Sequence, residues 1–223
     1  VGVLKSLGQM LERDNPEDLP HQIVVSVAAS LKADVSAMLI LDDVRAGFRL
    51  DIRGSWAAYG VKPDLAAYSK AIANGWPLAA VAGANRAREG AAKIFVTGSF
   101  WYGAAAMAAA IATLRILRET AALSHIKAMG ERLRSGLDAA ARRNGYSLRQ
   151  TGPVQMPMVL FDGDKDLKIG NAFCLAALRH GLYLHPKHNM FLCAAHQPAD
   201  IDRALEAADA AFRDIAAAGV VPA

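Results

Sequence analysis

Two ionisable residues, Asp42 and Lys70, stand in settings that folding alone does not demand. The apolar run Leu39, Ile40, Leu41 stops at Asp42 and Asp43, the pattern of a buried strand that delivers acids to the edge of a sheet. Lys70 lies within "DLAAYSKAIANGWPLAAVAG", whose residues are largely small or apolar, so its ammonium is expected to be partly desolvated. Desolvation disfavours the charged form, and a neutral amine can form a Schiff base with an aldehyde.

An acid and an amine of this kind meet the demands of pyridoxal 5′-phosphate. The lysine would hold the aldehyde as an imine, while the carboxylate keeps the pyridine nitrogen protonated so that the ring can accept electrons. Taken singly, each residue has a commoner explanation: Asp42 capping a loop, and Lys70 reaching out to water along its own stem.

The flanking residues decide between these readings. "LILDDVRAGFR" (39–49) followed by "YGVKPDLAAYSKAIANGWPLAAVAG" (59–83) resembles the class III, or omega, aminotransferases, and within them glutamate-1-semialdehyde 2,1-aminomutase and its aminotransferase relatives. The family pattern is Asp-Glu-Val, two variable residues and Gly-Phe. A Tyr-Gly-Val-x-Pro-Asp segment follows, then the Schiff-base lysine and a Gly-rich turn containing proline. The resemblance implies that Asp42 partners the pyridine nitrogen, that Lys70 is the catalytic imine-forming base, and that Val44 packs on one face of the ring. "TGSFWYGAAAMAAA" (97–110) is similar to the family segment Gly-Thr-x-x-Gly-Asn-Pro, in which Ser99 takes the place of a threonine that binds the phosphate of the cofactor held by the other subunit. A hydroxyl near a helix start suits that role. The resemblance therefore also implies a homodimer, with an amine or amino acid and a carbonyl acceptor as small-molecule substrates.

Four departures bear on the substrate. Asp43 replaces the family's glutamate, Ser69 a common glycine, and "IANGWP" is poorer in glycine than the usual turn, while Tyr102, Gly103 and Ala104 replace Gly-Asn-Pro. Trp76, Trp101 and Tyr102 are expected to crowd or reshape a pocket.

The elements that must position these residues follow from periodicity. Val3 to Arg13 reads as a short amphipathic helix, Ile23 to Ala28 and Met38 to Leu41 as strands, and Leu78 to Ala82 and Ile94 to Thr97 as further strands. Ala104 to Arg118 is an alanine-rich helix, and Ser124 to Arg143 another, ended by Gly145. In the latter, Ile126, Met129, Leu133 and Leu137 recur at steps of three and four, which predicts one buried stripe. Val154 to Phe161, Leu182 to His185 and Met190 to Ala194 read as strands, and Ile169 to His180 and Ile201 to Ala217 as helices closed by Gly181 and Gly219. The fold class expected is α/β: a fold-type I pyridoxal-phosphate transferase in which residues 1–120 form the later part of a large domain with a mainly parallel sheet. Residues 121–223 would form a C-terminal α+β small domain.

Residues 29–36 are fewer than the dozen or so that a parallel crossover needs, and family members carry a full helix there. Their upstream phosphate-cradling turn and cofactor-stacking aromatic residue have no counterpart before Asp42. The resemblance thus implies the later part of a longer enzyme.

Composition narrows the remaining classes. The 223 residues are 53% hydrophobic and 21% charged, which suits a soluble globular protein, and the net charge of +4 is scattered with no basic block to suggest nucleic acid. Two cysteines, Cys174 and Cys193, make no disulfide framework and point to a reducing cytoplasm. No export leader is evident, and no apolar span reaches roughly 18 residues, so no membrane association is expected. His185, His188 and His196 fit no common zinc spacing, so no metal is expected. Two other readings stand beside the enzyme: a non-catalytic relative serving as a binding or assembly module, and an ATPase fragment. The second needs a Gly-x-x-x-x-Gly-Lys-Ser/Thr loop that the chain lacks.

Overall fold

The computed structural model describes residues 38–95, 98, 99, 101 and 103–220. The helix expected over Val3 to Arg13 and the strand over Ile23 to Ala28 lie outside them. The chain divides into two units between Arg115 and Ile116.

In the first unit β1 (Ile40–Asp42) pairs in parallel with β2 (Leu65–Tyr68), and β2 pairs antiparallel with β3 (Ala80–Gly83). The register aligns Asp42 with Ala67 and Ala67 with Val81. Residues 43–64 are long enough to carry the chain back for a parallel pairing, whereas the link 69–79 carries no crossover helix and β3 runs the other way. The mainly parallel sheet expected is thus, among the described residues, one parallel and one antiparallel pairing. The strands expected at Met38 and Leu78 begin two residues later, and β2 itself was not expected, because Leu-Ala-Ala-Tyr is alanine-rich and weak in strand propensity. Ile94 and Phe95 are irregular, and Val96 and Thr97 lie outside the described residues. Beyond β3 come α1 (Arg88–Ala92) and α2 (Ala104–Glu119), the latter matching its alanine-rich sequence.

The expectation of a buried first strand is corrected. Successive residues of a strand face opposite ways, and the face carrying Ile40, Asp42, Ala67 and Val81 is open, with Ile40 61% and Val81 72% exposed. No described side chain packs far enough over that face to bury it. The other face meets a small core of Ile72, Ala73 and Ala110, flanked by Phe48, Tyr68, Leu78 and Ala80.

Asp64 pins the amino edge of this sheet. Only 3% exposed, it accepts the Leu39 N–H at 2.7 Å and pairs with the Arg86 guanidinium. Its own N–H donates to Leu39 O at 2.8 Å and its carbonyl accepts the Ala84 N–H at 2.8 Å, so one residue ties β1, β2 and the end of β3.

The second unit packs three helices, α3 (Ala122–Arg143), α4 (Lys168–Arg179) and α5 (Pro198–Ala217), with the antiparallel pair β4 (Leu148–Thr151) and β5 (Met158–Phe161). Ile126, Met129, Leu133 and Leu137 are all buried, as the stripe predicted. Each such side chain contributes about 1.5–3 kcal/mol of transfer free energy. Gly136 lets α5 come close, since a Cβ there would overlap Leu205. Phe173 and Phe212 stack with centroids 4.4 Å apart, and Phe161 and Tyr146 close around them.

Three strand expectations in this unit are revised. The strand at Val154 starts only at Met158, because 153–156 forms a turn closed by Met156 N–H to Pro153 O at 3.0 Å. Leu182 to His185 is no strand; Leu182 N–H donates to Ala177 O at 2.9 Å, closing the end of α4 after Gly181 with φ +84°. Met190 to Ala194 makes two bonds, Met190 N–H to Pro157 O at 2.8 Å and Leu192 N–H to Gln155 O at 2.9 Å. Pro157 has no N–H to return, so the ladder does not extend. Helix α5 starts three residues before the Ile201 expected, with Pro198 in its first turn and a reciprocal cap between Gln197 and Asp200.

Candidate active site

Asp42 ends β1 and Lys70 follows two residues after the end of β2. Because these strands are parallel and Asp42 is level with Ala67, both residues stand at the carboxyl edge of the sheet. Asp42 is exposed on the open face, and its Oδ1 accepts the Val44 N–H at 3.1 Å. That bond makes it a turn-capping residue as well. Val44 is half-buried in the same turn.

Lys70 opens a 3-10 turn (Lys70–Ile72) with φ +50°, in the left-handed region. For a residue with a Cβ this costs about 1–2 kcal/mol and persists only where the surroundings impose it. Two bonds do so: Ser69 Oγ–H donates to Leu78 O at 2.8 Å, and Asn74 N–H donates to Lys70 O at 3.0 Å. The expected desolvation of Lys70 is corrected, for its side chain is exposed. Small neighbours such as Ala71 do not cover so long a stem.

Asp43, one residue beyond Asp42, turns inward and is 2% exposed. Its carboxylate accepts the Ser55 N–H at 2.9 Å through Oδ2 and the Ser55 hydroxyl through Oδ1. Its backbone N–H donates to Ala67 O at 2.9 Å, carrying the β1–β2 ladder one step further. Beside it, burial and then the charge of Asp43 push the Tyr68 phenol above its ordinary range. Sequence reasoning places Asp43 with Asp42 at the strand end and as a departure from glutamate, but gives it no inward role. The alternation of strand side chains, with Asp42 outward, was the signal that could have placed it inside.

Ser99 is exposed in a turn ahead of α2, where helix bonding begins with Met107 N–H to Gly103 O at 3.3 Å. Trp76 and Trp101 are exposed, and Tyr102 lies outside the described residues. Asp42 and Lys70 are therefore brought to one edge, with Val44 next to the former.

The second unit has its own cleft of about 860 Å³, with an apolar floor including Leu133, Leu137 and Ile201 and a rim that includes His185, His188 and His196. Among the described residues no three His, Cys, Asp or Glu side chains gather as metal ligands would. No described helix is long and apolar enough to cross a membrane.

The donor set at the sheet edge fits pyridoxal phosphate: a carboxylate for the ring nitrogen, an amine for the aldehyde, and in the row Asp42–Ala67–Val81 a small methyl group that leaves room above the sheet.

Comparison with known proteins bears on this site. The family model described as aminotransferase class-III matches residues 20–210. The chain is 52% identical over 179 residues to the aminopentol aminotransferase of Sphingopyxis macrogoltabida, covering 80% of this chain and 42% of that protein. It is 33% identical over 210 residues to the glutamate-1-semialdehyde 2,1-aminomutase of Desulforudis audaxviator (strain MP104C), covering 87% and 49%. The structure of the PLP internal aldimine form of the Sphingopyxis sp. MTA144 FumI protein superposes with a TM-score of 0.86 at 46% identity, over 91% of this chain and 49% of that one. The chain thus spans about half the length of the proteins it matches.

Proposed function

Since the chain belongs to the class-III aminotransferase family, we propose that the protein carrying it moves amino groups between an amine or amino acid and a carbonyl acceptor, using bound pyridoxal 5′-phosphate. The observation that carries this reading is the placement of Asp42 and of Lys70, which has positive φ, beyond the carboxyl ends of two parallel strands. When bound, the cofactor supplies an aldehyde and an electron-accepting ring. Asp42 would hold a proton at the ring nitrogen, and charge stabilisation of this kind is worth about 3–4 kcal/mol. Lys70 Nζ would hold the group at its aldehyde, and its amine, once free, would serve as the base that moves a proton at the substrate carbon. Val44 would pack on the ring, and Ser99 would donate to the phosphate of the cofactor in a second copy, so the working form we propose is a homodimer. We assign residues 1–120 to the large domain, 121–223 to the small domain, and the protein to the cytoplasm.

Amino transfer to a separate acceptor is preferred over an intramolecular shift because the relative at 52% identity is named an aminotransferase. That name also suggests the donor: an amine on a polyhydroxylated compound. Family membership leaves the ATPase reading without support, and the non-catalytic alternative turns on one experiment. Borohydride added to the protein with pyridoxal phosphate should fix the cofactor on Lys70, and Lys70→Ala should lose activity by about 10³-fold. A label on another lysine would remove Lys70 from the chemistry, and no label at all would favour the non-catalytic module.

A further inference from the structure

We propose that Asp43, through Ser55, is a positioning residue that holds the Asp42 strand end and the Lys70 strand end in one working arrangement; this rests on the aminotransfer reading above. The carboxylate is buried and engages both donors of Ser55, twelve residues on, so it closes the whole loop that starts at Val44. The same residue bonds the neighbouring strand through its N–H to Ala67 O at 2.9 Å and closes the first turn of the loop by accepting the Gly47 N–H at 2.9 Å.

Close approach makes the arrangement rigid. A Cβ at Gly47 would lie 2.6 Å from Asp43 O and 2.7 Å from Tyr68 Cδ1. One at Gly54, where φ is +107°, would lie 3.1 Å from the Tyr68 hydroxyl and 3.2 Å from Asp43 Oδ2. Loop, acid and Tyr68 therefore form one packed cluster, and Tyr68 is two residues before Lys70. Along the chain the cluster reaches Asp42 through a single peptide unit, so freeing the Asp43 side chain lets the Asp42 carboxylate turn. Misplacement of a reacting group by about 1 Å can cost on the order of 10²-fold in rate.

Ser55→Ala is the sharper variant because it removes one donor and changes no charge; Asp43→Asn removes the charge as well. In the cofactor-loaded protein, the pH midpoint of the cofactor absorbance is measured together with kcat, KM for the amine and Tm. Ser55→Ala should lower kcat about tenfold, leave KM within about threefold and move the midpoint by about half a unit, with Asp43→Asn larger in the same direction. Asp64→Asn, the buried acid at the opposite edge, should lower Tm and leave the midpoint in place. A folded Ser55→Ala protein with wild-type kcat and midpoint overturns the proposal whatever its Tm, and decides the matter even where Asp43→Asn does not fold. A wild-type protein without the cofactor band, or labelled elsewhere than Lys70, overturns the aminotransfer reading and this one with it. A labelled wild type with unaffected variants removes the positioning role alone.

Discussion

The two units of this chain solve opposite problems. The second builds a continuous core around Phe161, Phe173 and Phe212, with Leu137, Ala176, Ala177 and Ala208 fully enclosed. The first has a core of three buried residues, an open apolar sheet face, and three of the four described non-glycine residues with positive φ, namely Phe48, Lys70 and Asn74. Side chains interlock in the second unit, whereas Lys70, the amine of the proposed chemistry, stands where the backbone is held at positive φ beside specific hydrogen bonds. A site that has to present an amine and a carboxylate toward a common ligand cannot also bury them among apolar neighbours.

This contrast can be broken at three points. Phe212→Ala should destabilise the second unit by about 3–5 kcal/mol, read by urea denaturation, because three aromatic partners lose contact at once. A loss below about 1 kcal/mol would mean that this core is not where stability resides. Asp64→Asn should cost about 1–3 kcal/mol by weakening the acceptor for Leu39 N–H and removing the partner of Arg86. A larger effect than that of Phe212→Ala would reverse the comparison, placing stability in the first unit. Lys70→Gly should raise stability by about 0.5–1 kcal/mol while lowering amino transfer by about 10³-fold, as for Lys70→Ala, since relief of the left-handed strain exceeds the entropy that glycine adds to the unfolded chain. A fall in stability on that substitution would show that Lys70 is not strained.

How far these features could be read in advance varied with how local they are. Helices α2 and α3 and the stripe Ile126–Leu137 were legible because a 3.6-residue period and alanine content act within one segment. The resemblance drawn from residues 39–83 is likewise met by the family match. Strand β2 was not legible, since Ala66 and Ala67 become strand residues only by pairing with β1 and β3. Nor was the exposure of Lys70: its small neighbours suggested burial, but whether they cover it depends on what packs above. The strand expected at Leu182 fails to form because of competition: the helix end uses its N–H first.

The order and identity of Asp42, Val44, Lys70 and Ser99 are matters of sequence, as are the periodicities that make the helices and the chemistry that an acid and an amine can perform. What tertiary structure alone decided is that Asp42 and Lys70 share an edge, that Asp43 turns inward onto Ser55, and that Lys70 sits at φ +50°. Those facts depend on hydrogen bonds between residues distant along the chain, and no local propensity encodes which distant partner a strand end will meet.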